Sequence, residues 1–184
     1  MEIRQSILLH SCCGPCSTAV IEKLIKAYNI TVFFYNPNIT DSEEYEKRKA
    51  NQEIFLENYK SIDDIEFIEG DYDPKTFLNQ VQGYVDEPEG GLRCSICFKH
   101  RLEATADFAK KNNFAFFGTT LSVSPHKDAD LINSIGLNLS AKYDVRYLVA
   151  DFKKQDGYQR SIQMAKEYHL YRQRYCGCQF SIPK

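Results

Sequence analysis

Along the chain, short apolar and β-branched runs alternate with longer stretches whose apolar positions recur every three or four residues. That change of period marks strands separated by helices. Ile7 to His10 reads as a buried strand, followed by a helix over residues 17 to 28 with Val20, Leu24 and Ala27 on one face. Thr31 to Tyr35 is β-branched and aromatic, and Asn36-Pro37-Asn38 closes it with turn chemistry. Thr40 or Asp41, with Glu43 or Glu44 three residues on, makes a capping box for a helix of about 18 residues. On that helix Tyr45, Gln52, Phe55, Leu56 and Tyr59 share a face. Ile65 to Ile68 is a short third strand, and Asp73-Pro74 opens a short helix that ends before Gly83.

Residues 86 to 93 have no period and form a loop, either a plain mobile acidic one or part of an active site. Cys97, Leu102, Ala106 and Ala109 then place a helix reaching about Lys111, with Cys94 at its mouth. Phe114 to Phe117 is a fourth strand, and Gly118-Thr119-Thr120 carries it into a loop. Ser122 to Asp128 leads into a helix that uses Leu131, Ile132 and Ile135 and is expected to stop at Gly136. Val145 to Val149 is a fifth strand, and Asp156, with Gln159 three residues on, caps a last helix reaching about His169. The pattern predicts an α/β, Rossmann-like parallel sheet in a single domain over residues 1–184, with a cysteine-containing C-terminal tail. In such sheets ligands sit beyond the carboxyl ends of the strands, where the turns after strands one and four meet.

With 43% apolar and 26% charged residues, the 184-residue chain has ordinary globular composition. No apolar run approaches the roughly 20 residues of a membrane span, and the N-terminus lacks a signal-peptide pattern. A cytoplasmic protein with no membrane partner is expected. The net charge of −2 conceals an asymmetry: residues 141–184 carry nine Lys or Arg against four acids, a net +5, leaving −7 elsewhere. That basic end suits a polyanion as well as it suits an ordinary solvated face.

Cysteine changes the picture most. The seven cysteines come in three tight groups, Cys12-Cys13-Gly14-Pro15-Cys16, Cys94-Ser95-Ile96-Cys97 and Cys176-Gly177-Cys178. Core filling predicts scattered cysteines, and structural disulfides are unexpected in a reducing compartment. The first group lies in a strand-to-helix turn, where backbone N–H groups and the helix dipole favour thiolates. One tetrahedral zinc or one [4Fe–4S] cluster needs four protein ligands, so seven thiols leave about three for a second metal or for catalysis. The first turn also occupies the place where nucleotide-binding relatives of this architecture cradle phosphate, yet GxGxxG and GxxxxGK[ST] are absent. Cysteines there argue for a bound metal and against ATP chemistry.

Among the histidines, His126 in Pro125-His126-Lys127-Asp128 lies on the predicted ligand edge and is the better proton donor or substrate contact. His10, beside the cysteine turn, is a proton source, a support for a metal ligand or a satisfied core residue. His100 and His169 read as helix-surface residues, and Asp128 as a helix cap or a metal ligand.

Six stretches together resemble one family. They are Leu8-Leu9-His10-x-Cys12-Cys13-Gly14-Pro15, Phe34 to Ile39, Glu44-Tyr45-x-x-Arg48, Asp86 to Phe98, Thr119 to Lys127, and Tyr171 to Cys178. They resemble the QueH family, the cobalamin-independent epoxyqueuosine reductases, over nearly the whole chain. The resemblance implies an adenine-nucleotide-alpha-hydrolase-like Rossmann fold, a [4Fe–4S] cluster and an adjacent mononuclear metal, expected to be iron. It implies reduction of epoxyqueuosine to queuosine at the wobble position of a tRNA anticodon, the final step of queuosine synthesis, with an external electron donor. Cys12, Cys13, Cys94, Cys97, Cys176 and Cys178 become candidate cluster ligands and Cys16 a ligand of the second metal, the division of the other six between the two centres being left open. His126, Lys127, Asp128 and His10 become catalytic candidates. Asn36, Asn38, Arg93, Thr119, Thr120, Arg172 and Tyr175 become substrate-binding candidates. Lys153, Lys154, Arg160, Arg172 and Arg174 are the expected phosphate contacts, with Tyr171 and Tyr175 as stacking partners. A zinc-stabilised RNA-binding module and a thiol-based tRNA sulfur-transfer enzyme are the alternatives.

Overall fold

The computed structural model describes residues 4–59 and 65–183. Lys184, counted in the basic end, lies outside them. Five strands, β1 (Gln5–His10), β2 (Tyr28–Phe34), β3 (Glu66–Glu69), β4 (Phe116–Thr119) and β5 (Arg146–Tyr147), form one sheet in the order β3-β2-β1-β4-β5. Every neighbouring pair is parallel. The helices are α1 (Gly14–Leu24), α2 (Ser42–Tyr59), α3 (Pro74–Val81), α4 (Leu92–Lys111), α5 (Ala129–Tyr143) and α6 (Gly157–Glu167).

β1 is central, and alternation along it splits the core in two. Ile7 and Leu9 join Val20 and Ile21 of α1, Phe55 and Leu56 of α2 and Met164 of α6 on one face. Leu8 turns to the other, with Phe33, Phe117, Leu102 of α4 and Ile132 of α5. Burial on both faces is what a parallel sheet requires, and it explains why β1 reads as a continuous apolar run. The strand order reverses at β1, whose His10 pairs with Phe33 on one side and Thr119 on the other. The turns after β1 and β4 therefore open onto one crevice at the carboxyl edge.

Several boundaries depart from expectation for identifiable reasons. α1 begins at Gly14, so Cys13 is its N-cap residue and Cys16 lies inside the first turn. Gly14 lets α1 approach α2, since a Cβ there would sit 2.8 Å from the Asn51 carbonyl oxygen. β4 lies two residues later than predicted, because its register with β1 runs from Ile7↔Phe116 to His10↔Thr119. α5 passes through Gly136 and ends only where Asp144 turns left-handed at φ 51°. Gly136 is not a cap: a Cβ there would lie 2.3 Å from Tyr147 Cζ, so the residue admits a ring. β5 is cut short because the Ala150 amide donates 3.3 Å to Asn133 Oδ1 of α5, drawing the chain off the sheet. Asp156 precedes α6 at φ 60° and its side chain makes no capping bond, contrary to the box expected with Gln159. Asp41 does cap α2, accepting from the Glu43 and Glu44 amides at 2.9 and 3.0 Å.

Candidate metal centre

The cysteine turn is built from the helix start. Pro15 fits the first turn of α1, where no N–H is needed, and Cys12, Cys13 and Cys16 then face one another. Their Sγ atoms all lie within 4.8 Å, with Cys12 and Cys13 3.8 Å apart, and Cys12 and Cys13 are buried. Hydrogen bonds from Cys13 and Cys16 hold the Cys12 thiol well below its ordinary range. Burial pushes Cys13 up to about 12, and hydrogen bonds to Cys12 and Cys13 raise Cys16 as well, so the three thiols are held in unlike states. Gln173 of the tail donates to Cys13 Sγ at 2.9 Å and lies 3.9 Å from Cys16 Sγ.

The other four thiols come from α4 and the tail. Cys97 and Cys178 are buried with Phe77 and Val81 of α3, and Cys176 packs against this group. Cys94, in the first turn of α4, accepts 3.2 Å from the Gly90 amide. Burial lifts Cys97 to about 11. All seven cysteines are free thiols.

The tail is fixed by a residue of the Glu44-Tyr45-x-x-Arg48 stretch. Arg48, with a side chain 1% exposed, donates to Glu44 at 2.7 Å, to the Tyr175 carbonyl at 3.0 Å and to the Cys176 carbonyl at 3.1 Å. Gly177, at φ 113°, passes so close that a Cβ would meet Ile39 Cγ1 at 2.8 Å and Arg48 Nη1 at 3.1 Å. The signal in the sequence was an arginine on the apolar face of α2, between Tyr45 and Gln52.

Three cations surround these thiols. Arg101 lies 3.8 Å from Cys97 Sγ, donates to Asn36 Oδ1 at 2.8 Å, and acts electrostatically on Cys97, Cys12 and Cys176. Lys127 is half-buried; burial opposes its charge, but Cys12, Cys16 and Cys176 raise its pKa, so it stays protonated. Arg48 is likewise opposed by burial and supported by Cys13 and Glu44. The fold thus brings thiols of all three chain segments into one electropositive neighbourhood. Free thiols and compensating cations make a donor set that suits an anionic metal group, and Thr120 Oγ1 and the Asn38 amide are elsewhere buried without a hydrogen-bond partner. The triad is competent to bind a metal or an iron–sulfur cluster.

The family model for "Epoxyqueuosine reductase QueH" matches residues 7–184. A protein of that name from Streptococcus pyogenes serotype M1 is 44% identical over 182 residues, covering 98% of this chain and 71% of the relative. One from Thermotoga maritima is 34% identical, covering 96% and 90%. The chain belongs to the QueH family of epoxyqueuosine reductases. Its fold is also similar to a solved structure, a predicted subunit of tRNA methyltransferase from Methanocaldococcus jannaschii. That match has a TM-score of 0.53 and 16% identity over 88% of this chain and 76% of the other, and it shows the fold alone.

For a QueH-family chain the other expected residues fall in distinct places. A cleft of about 420 Å³ beside the thiols is lined by Cys16, His126, Lys127, Arg172, Tyr175 and Cys176, among others. Asp128 Oδ1 accepts from the Asp130 and Leu131 amides at 2.9 and 3.1 Å, so this carboxylate caps α5. His10 is wholly enclosed, with Nδ1 2.9 Å from Thr119 Oγ1 and Nε2 3.1 Å from the Tyr35 carbonyl. Burial, then the Arg101 charge, lowers its pKa to about 3, and the ring is neutral. Asn36 spans from the Ser11 carbonyl to Arg101, and the Arg93 guanidinium donates to the carbonyls of Tyr84, Val85 and Glu87, holding the acidic loop. Leu92 N also donates to Glu87 Oε2 at 2.9 Å, closing that loop onto α4. His100 is not a plain surface residue: it bridges Tyr35 Oη and Gln80 at 3.0 Å each, whereas His169 is exposed.

The expected phosphate contacts divide. Arg160 is paired with Glu22 and Glu167, and Lys153 and Lys154 with Asp151. Arg172 and Arg174 line the cleft. Tyr171 is engaged inside the protein, its hydroxyl on Glu44 and its ring under Lys47 Nζ at 3.5 Å. Tyr175 faces the cleft. Among the described residues no helix is long and apolar enough to cross a membrane.

Proposed function

We propose that this chain reduces epoxyqueuosine in tRNA to queuosine, its seven cysteines holding a [4Fe–4S] cluster and a second metal, iron, beside it. Opening the epoxide to an alkene consumes two electrons and two protons and releases the oxygen as water, so an external electron donor is required. The cytoplasm, where tRNA is found, is the expected location. When bound, the cluster would pass electrons singly and the second metal would act as a Lewis acid toward the epoxide oxygen.

The protein's own residues supply the rest. Lys127 stays protonated beside Cys12, Cys16 and Cys176, and with His126 it borders the cleft, so these two donate or relay protons to the leaving oxygen. Arg172 and Arg174 bind anticodon phosphates at the rim, and Tyr175 offers a face for stacking. Asn38 and Thr120, buried with polar atoms unpartnered, have hydrogen bonds to give to a bound group. The observation that carries the reading is the Cys12, Cys13 and Cys16 triad within 4.8 Å in a chain of this family.

Anaerobic purification with iron and sulfide analysis tests it, followed by turnover on epoxyqueuosine-containing tRNA read by nucleoside mass spectrometry. Several irons with labile sulfide and formation of queuosine are expected. A colourless protein with about one zinc would overturn it.

A further inference from the structure

Arg101 stands four residues after Cys97 on α4, so the two share a helix face. That face points inward, and Arg101 is 2% exposed. Its three nitrogens are directed by neutral or sulfur groups: Nη2 to Asn36 Oδ1 at 2.8 Å, Nη1 to Cys97 Sγ at 3.8 Å, and Nε toward His10 Nε2 at 3.4 Å. Asn36 is itself tied to the Ser11 carbonyl at 2.8 Å, one residue before Cys12. Among the described residues no carboxylate pairs with this guanidinium. Arg48, by comparison, has Glu44 at 2.7 Å.

A buried cation needs a counter-charge, or its desolvation goes uncompensated. The groups available to Arg101 are cysteine sulfurs, which become thiolates when they ligate a metal: Cys97 Sγ lies 3.8 Å from Nη1, and the Arg101 charge also acts on Cys12 and Cys176, so each cysteine group is reached. The neutral His10 and Asn36 orient the fork and leave its charge unneutralised.

We infer that Arg101 is a positioning residue, the fixed positive charge shared by the three cysteine groups, and that it raises the reduction potential of the iron–sulfur group they hold. The inference rests on the cluster assignment made above. A group that gains an electron gains negative charge, and a buried cation beside its ligands favours that state.

The test compares the anaerobically purified protein with Arg101→Lys, Arg101→Gln and Asn36→Asp. The last keeps the guanidinium and its volume, but places a carboxylate at the 2.8 Å contact. Iron content and the cluster midpoint potential, followed by electron paramagnetic resonance, are the readouts. The expected result is a midpoint shifted to lower potential in Arg101→Gln and Asn36→Asp, with Arg101→Lys close to wild type. Wild-type potentials in both Arg101→Gln, which removes the charge, and Asn36→Asp, which neutralises it, would overturn the inference. So would loss of iron from Arg101→Lys to the same extent as from Arg101→Gln, since packing and not charge would then decide. A wild-type protein without iron would overturn the cluster assignment instead. Iodoacetamide alkylation of Cys97 in the same proteins then decides for Arg101, with several-fold slowing in Arg101→Gln supporting its role and equal rates refuting it.

Discussion

Replacing Arg48 by lysine should undock the cysteine-bearing tail without unfolding the domain. The guanidinium fork makes hydrogen bonds to Glu44, to the Tyr175 carbonyl and to the Cys176 carbonyl, at 2.7, 3.0 and 3.1 Å. A lysine ammonium is a compact donor on a flexible stem and cannot span a carboxylate and two carbonyls from this position. Retaining the Glu44 contact, it forfeits two charge-assisted bonds, each worth about 1.5 kcal/mol at the lower end, or about 3 kcal/mol together. At 1.4 kcal/mol per tenfold, tail opening should rise roughly a hundredfold. Two amides report docking directly: Thr40 N donates to the Gly177 carbonyl at 3.2 Å, and Gln179 N to Thr40 Oγ1 at 3.1 Å. Their hydrogen exchange should accelerate by about that factor while amides of β1 and β2 hold their rates. Cys176 and Cys178 would no longer be held against α4, so iron content should fall in parallel. Unchanged exchange at Thr40 and Gln179 in a folded Arg48→Lys protein would refute the claim that this side chain fastens the tail.

Two further predictions concern stability and the site's edges. Gly136→Ala should destabilise the domain by about 1–3 kcal/mol, since the new Cβ would meet the Tyr147 ring at 2.3 Å; thermal denaturation checks it, and an unchanged midpoint would contradict the packing. Asp128→Ala removes the α5 cap at a cost of about 1 kcal/mol. Iron content should stay at the wild-type level, and loss of metal in a folded Asp128→Ala protein would show that the carboxylate is a ligand after all.

Much of the sheet was legible because parallel strands buried on both faces leave apolar runs such as Ile7-Leu8-Leu9, which no neighbouring segment has to explain. The caps at Asp41, Asp73 and Asp128 were legible for a related reason: a capping bond joins residues two or three apart. Where the reading failed, a distant partner decided. Gly136 looked like a helix end until the Tyr147 ring was found against it, and β5 looked longer until Asn133 drew Ala150 away. Asp156 carried the residue type of a cap but not its geometry.

The site divides along the same line. The sequence alone determined that seven thiols come in three clusters, that the first sits in a strand-to-helix turn, and that His126 and Lys127 lie on the same edge. Those are properties of short segments, fixed by local spacing and by the order of elements in a parallel sheet. Tertiary structure decided which charges those thiols meet. Arg48 and Arg101 sit on helices remote in sequence from Cys12, and although Arg48 falls on the apolar face of its helix, nothing in the sequence says which groups either arginine meets. Only the packing of α2 and α4 around the carboxyl edge of β1 buries them, and a buried cation is held by whatever anions lie within reach. Here Glu44 holds Arg48, and the cysteine sulfurs are the groups that interact with both arginines.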